Sequence, residues 1–142
     1  MIVVDASALV AILGDEPERD NFIRRINAEE FTYISTASLL EVRIVLFSRF
    51  GNNGVLALDS FLLKSGMTVV EVSPRMGEIA FEAYRRFGKG TGHGASLNYG
   101  DCFSYALAKY LEAPLLFKGG DFSRTDLPLA LGDAERATRQ PH

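Results

Sequence analysis

The sequence predicts an α/β protein, a three-layer α/β/α sandwich around a small, mostly parallel twisted sheet. Short β-branched runs alternate along the chain with longer stretches of helical periodicity, which implies parallel strands joined by right-handed helical crossovers. With 142 residues and 47% hydrophobic content, the chain can fill one core and is too short for two ordinary domains. Glycine or proline stands at most of the boundaries between runs, where helices start and stop.

Residues 2–4 form a β-branched strand ending at Asp5, and 6–13 a helix that stops at Gly14. Pro17 suits the first turn of a second helix, in which Phe22, Ile23 and Ile26 recur at helical spacing. A second strand is expected over 32–35, then a long helix over 36–50 closed by Gly51, and a further helix over 55–64. The span 67–72 reads as a third strand. Pro74 opens a helix with Ile79, Ala80, Ala83, Tyr84 and Phe87 on one face, and Gly88 ends it. The glycine-rich segment GKGTGHG then reads as a flexible loop, 101–111 as a helix, 114–117 as a fourth buried strand and 129–131 as an edge strand. Residues 1–131 are expected to form the single domain and the polar 132–142 a disordered tail.

No stretch approaches the roughly 20 apolar residues that cross a bilayer. The opening MIVVDASALV carries an acid among its apolar residues and no basic segment before them, unlike a signal peptide. Cys102 is the only cysteine, which rules out an intrachain disulfide and fits a reducing cytoplasm. A net charge of −3 looks wrong for a protein that handles nucleic acid. If four of the 18 acids are committed to a cation, however, the rest no longer outnumber the 15 basic residues.

In parallel α/β folds, ligands bind beyond the carboxyl ends of the strands. Asp5 falls where the first strand ends, Asp101 where a helix begins after a loop, and Asp121 in the turn after the fourth strand. Glu41 lies inside a helix with Ala37, Ser38, Ile44 and Val45 as neighbours and no basic partner at helical spacing. Each acid also has an ordinary explanation. Asp5 and Asp101 are good helix caps and Asp121 a common turn residue. Glu41 is harder to explain away, since a carboxylate on an apolar face is costly unless paired, protonated or bound to a metal.

Two carboxylates about 4 Å apart repel by about 4 kcal/mol at an effective dielectric of about 20, so a cluster without Lys or Arg calls for a cation. Oxygen ligands without His or Cys favour Mg²⁺, with Mn²⁺ as a substitute, over zinc. Such sites serve phosphoryl chemistry, and hydrolysis of a phosphodiester follows.

The segments IVVDASALVAIL, STASLLEV, LNYGDCFSYALAK and LLFKGGDFSRTDL resemble, in order and spacing, PIN-domain ribonucleases of the VapC toxin type. The resemblance implies that Asp5, Glu41, Asp101 and Asp121 form an acidic tetrad that holds Mg²⁺ or Mn²⁺ and cuts RNA. It further implies a toxin with a cognate antitoxin protein, a homodimer, and no membrane. Family members often carry a second polar or acidic residue where this chain has Gly120, so Asp126 stands as an alternative fourth acid or a supporting group.

Ser7 either bonds a metal-bound water or phosphate or caps its helix, and Lys118 is the first choice for a phosphate contact, with a plain surface lysine close behind. Lys89 or His93 could touch RNA, but a solvated loop is the favoured reading. GKGTGHG is not a P-loop, because Ala83 stands where that motif needs glycine and Lys89 is followed by Gly90. Cys102 reads as a buried apolar residue rather than a nucleophile. Tyr99, Phe103 and Tyr105 could stack on bases, with core packing favoured for Phe103 and Tyr105. Three other readings compete: a haloacid-dehalogenase-like phosphatase, which has Asp where this chain has Ser7; a receiver domain, whose phosphoacceptor would be Asp59 in an apparent helix; and a non-catalytic PIN-like binding module.

Overall fold

The computed structural model describes residues 1–132; from residue 133 on, the expected tail lies outside the described residues. The order is β1 (Ile2–Val4), α1 (Ala6–Leu13), α2 (Arg19–Asn27), β2 (Thr32–Ser35), α3 (Thr36–Phe50), α4 (Asn52–Ser65), β3 (Thr68–Val70), α5 (Pro74–Phe87), α6 (Tyr99–Leu111) and β4 (Leu115–Leu116). The four strands pair in parallel in the order β3-β2-β1-β4. The chain builds the sheet outward from β1 to β3, then crosses back to lay β4 on the other side of β1. The order therefore reverses between β1 and β4, and the crevice at their carboxyl ends is the natural place for a site.

Side chains alternate across the sheet with period two. Ile2, Val4, Ile34 and Leu116 pack with the buried faces of α1 to α4, including Leu9, Phe22, Leu46 and Leu58. On the other face Val3, Leu115 and Phe117 pack with Ala83 and Phe87 of α5 and Tyr105 and Leu107 of α6. These two cores define the three layers. The helix starts follow local chemistry: Asp5 caps α1, Ser35 caps α3, and Ser73 caps α5 with Pro74 in its first turn.

The structure corrects several expected boundaries. Pro17 lies in the turn before α2, which starts at Arg19. The third strand is shorter than 67–72, since Pro74 and its capping serine take the chain out of the sheet. In place of an edge strand over 129–131 there is one bridge, Leu129 to Leu115, because β4 itself contributes only two residues. The glycine-rich loop is pinned at its base rather than loose: Lys89 N–H donates to Leu97 O at 2.7 Å and Leu97 N–H to Phe87 O at 2.8 Å. Among the described residues no helix is long and apolar enough to cross a membrane.

Candidate active site

Asp5 follows β1 directly and is buried at 5% exposure, with both carboxylate oxygens held from behind. Oδ2 accepts from Ser7 N–H at 3.0 Å and Ser7 Oγ at 2.6 Å, and Oδ1 accepts from Ser104 Oγ at 2.5 Å. Ser104 spends its only proton on Asp5, so the 3.0 Å contact between Ser38 and Ser104 must run from the Ser38 hydroxyl. Ser38 is on α3 and Ser104 on α6. A fully buried relay thus ties helices from opposite faces of the sheet to the first acid. Lys118 N–H donates to Ser7 Oγ at 2.9 Å, which fixes the end of β4 against the start of α1.

Asp101 is the third residue of α6, not its cap. Its Oδ2 accepts from Asn98 N–H at 3.0 Å while Asn98 Oδ1 accepts from Asp101 N–H at 2.9 Å, a reciprocal capping box. The capping and site readings of Asp101 therefore coexist. Burial pushes its pKa from 3.8 up to about 7; the Asn98 amide opposes the rise, and the charges of Asp5 and Asp121 and a side-chain hydrogen bond to Asp121 reinforce it.

Glu41 arrives from α3. Much of the residue is exposed, so it does not sit on a covered apolar face as expected, yet its carboxylate meets the bare backbone of Gly100 so closely that a Cβ there would collide with Oε1. Partial burial raises its pKa, and the Asp5 charge adds to the effect. The Asp5 charge thus acts on both Glu41 and Asp101, and the Asp121 charge on Asp101.

Two other expected residues are engaged elsewhere. Asp126, the alternative fourth acid, accepts from Tyr105 Oη at 2.6 Å and Lys109 Nζ at 2.7 Å and lies 3.5 Å from Arg86. Burial works against its ionisation, but the hydrogen bonds from Lys109 and Tyr105 and the charges of Lys109 and Arg86 outweigh it and leave its pKa lowered. Its partners line a depression of about 710 Å³ on the outer face of α5 and α6. Lys118 turns its ammonium to Glu16 and, at 3.2 Å, to the buried Glu18. Cys102 is inert: burial, with the nearby Asp101 charge, pushes its thiol up to about 11. Tyr105 is buried in the core, while Tyr99 is 80% exposed.

Sequence reasoning missed Ser38, Ser104 and Gly100. Ser104 had a legible signal, since it follows Asp101 by three residues on the same helical face. Ser38 and Gly100 had none, because their roles depend on where two distant helices cross.

The donor set fits a hard divalent cation. Among the described residues no Lys or Arg pairs with any of the four acids. Among the described residues no three of these acids stand close enough together to form a ligating group.

A parallel sheet that gathers unpaired carboxylates at its switch point defines a class of protein, and the PIN domain family matches residues 2–127. The chain is 48% identical over 126 residues to ribonuclease VapC30 of Mycobacterium tuberculosis, covering 89% of this chain and 95% of that one. It is 49% identical over 126 residues to a ribonuclease VapC of Mycolicibacterium smegmatis, covering 89% and 97%. The crystal structure of M. tuberculosis VapC20, a sarcin-ricin loop cleaving toxin, superposes with a TM-score of 0.74 at 21% identity over 89% of this chain and 96% of that one. VapBC2 of Rickettsia felis, solved bound to a promoter DNA fragment, gives 0.71 at 16% identity over 91% and 97%. The chain belongs to the VapC ribonucleases of the PIN domain family.

Proposed function

We propose that the protein is a divalent-metal-dependent endoribonuclease, the toxin of a toxin–antitoxin pair, that hydrolyses RNA phosphodiester bonds at Asp5, Glu41, Asp101 and Asp121. The observation that carries this reading is the buried Asp5 at the end of β1, held by Ser7 and Ser104, which adds to burial in raising the pKa of Asp101, with no basic side chain among the described residues paired to either acid. The all-oxygen donor set favours Mg²⁺, with Mn²⁺ as a substitute. A bound ion supplies Lewis-acid chemistry at the scissile phosphate and to the attacking water.

The chain's own residues divide the remaining work. Asp5, held by Ser7 and Ser104, is a rigid anchor whose position cannot drift with solvent. Asp101 supplies acid oxygens beside Asp5 and Asp121, and Glu41 adds one from α3.

Exposed Leu40, Ile44, Phe47 and Phe50 on α3 and Leu56 and Leu63 on α4 offer an apolar surface for the cognate antitoxin and for a second copy of the chain. A cytoplasmic location fits the RNA substrate and the lone reduced cysteine. The test is cleavage of RNA by protein freed of antitoxin. Activity with Mg²⁺ or Mn²⁺ that is lost on chelation is expected, and undiminished cleavage in excess EDTA would sink the mechanism.

A further inference from the structure

Phosphate recognition needs a cation near the acids that is not already spent on a protein carboxylate. Most cations fail this requirement. Arg19, Arg25, Arg43, Arg49, Arg75 and Arg85 pair with acids. Arg86, Lys109 and Lys118 do so as well. Arg24 bonds Asn21, and Lys64 ends α4 at the opposite edge of the sheet. Among the described residues that leaves Lys89, in the loop that leads to Asp101, and Arg124, in the segment that begins at Asp121.

Arg124 follows Asp121 by three residues, in a segment of successive turns. Ser123 N–H donates to Gly120 O at 3.2 Å and Thr125 N–H to Phe122 O at 3.1 Å, and the buried Phe122 and Leu127 pin the segment to the core. From this base the Arg124 side chain lies across Gly94, so closely that a Cβ on Gly94 would strike the guanidinium and press on Cδ at 3.2 Å. The loop beneath is itself ordered by hydrogen bonds, with Thr91 Oγ1 donating to Gly88 O at 2.7 Å and Tyr84 Oη to Lys89 O at 2.8 Å. His93 packs edge-on against Phe87 at 5.0 Å and accepts at Nδ1 from Ala95 N–H at 3.0 Å, which places the neutral ring's proton on Nε2.

Asp121 and Arg124 share one turn segment yet make no ion pair with each other. The guanidinium is left open to an anion, and its planar fork matches phosphate oxygens.

We propose that Arg124, braced over Gly94 next to His93, binds a backbone phosphate of the RNA strand next to the scissile one. This rests on the ribonuclease reading above. The role expected of Lys118 passes to Arg124, because Lys118 is held by Glu16 and Glu18.

The test is a salt series of cleavage kinetics with Mg²⁺, using an RNA oligonucleotide that spans a cut site mapped in total RNA. Arg124→Gln should raise KM about tenfold with little change in kcat, and flatten the slope of log kcat/KM against log salt by about 0.7, the value for one phosphate contact on a single strand. Arg124→Lys should keep the slope. Gly94→Val, which displaces the guanidinium but keeps its charge, should raise KM. Lys64→Gln, a cation at the far edge, should change nothing. An Arg124→Gln slope and KM equal to the parent's, with the parent active, would overturn this proposal alone. A parent that cuts no RNA would overturn it together with the functional reading.

Discussion

Asp101 answers two demands with one carboxylate. One oxygen closes the capping box of α6, and the group as a whole leans on Asp5 and Asp121, which with burial holds its pKa at about 7. Between its ordinary value of 3.8 and about 7, the folded protein binds a proton that the unfolded chain does not. This contribution to the stability of metal-free protein is full below that window and is lost as pH rises through about 7. Asp101→Asn keeps an acceptor for the Asn98 amide and removes the charge. At pH 8 without metal it should melt above the parent by roughly 3–10 °C, corresponding to about 1–2 kcal/mol after solvent screening. Below pH 4 the difference should vanish. The substitution should also abolish cleavage and shrink the stabilisation by Mg²⁺. Melts of both proteins with EDTA and with Mg²⁺ check this, and an active variant with an unchanged profile would refute the role of Asp101.

The site is a product of how α3 and α6 cross. Ser38 meets Ser104 in the interior, and a turn away Glu41 occupies the space left by Gly100. Gly100 is the second residue of α6, where alanine would favour the helix by up to about 1 kcal/mol. Gly100→Ala should therefore leave thermal stability equal or higher. Its new methyl group collides only with the far end of the Glu41 side chain, which can swing away, and meets Asn98 Oδ1 at an ordinary 3.5 Å. Displacing that carboxylate should lower cleavage by roughly 10- to 100-fold, since an ångström of misplacement is enough for such a loss. Circular-dichroism melts read alongside cleavage rates separate the two effects, and full activity in the variant would show that Glu41 need not sit where α6 holds it.

At the scale of the molecule, α3 and α4 bury Leu39, Val42, Leu46 and Leu58 and leave Leu40, Ile44, Phe47, Phe50, Leu56 and Leu63 in solvent. So many exposed apolar side chains on two successive helices are costly in a monomer. The expected outcome is self-association in light scattering, together with a small antitoxin that copurifies from the native host and covers this face. Monomer alone across a wide concentration range, with no copurifying protein, would dismiss this account.

Local pattern determines local structure, and the alternation of short β-branched runs with helical periods was enough to predict parallel pairing and three layers. It was also enough to put Asp5 at the carboxyl edge, because a residue directly after a strand has little freedom in where it goes. Other features depended on contacts between segments far apart in the chain, whose geometry no local spacing encodes. Tertiary packing sent Asp126 to Lys109 and Arg86, Lys118 to Glu16 and Glu18, and Arg124 over Gly94. It also aligned Ser38, Ser104 and Asp5, residues 99 positions apart at the last link, into one hydrogen-bonded line. A charged side chain reaches several ångströms in many directions, and only the folded chain decides which opposite charge it finds first.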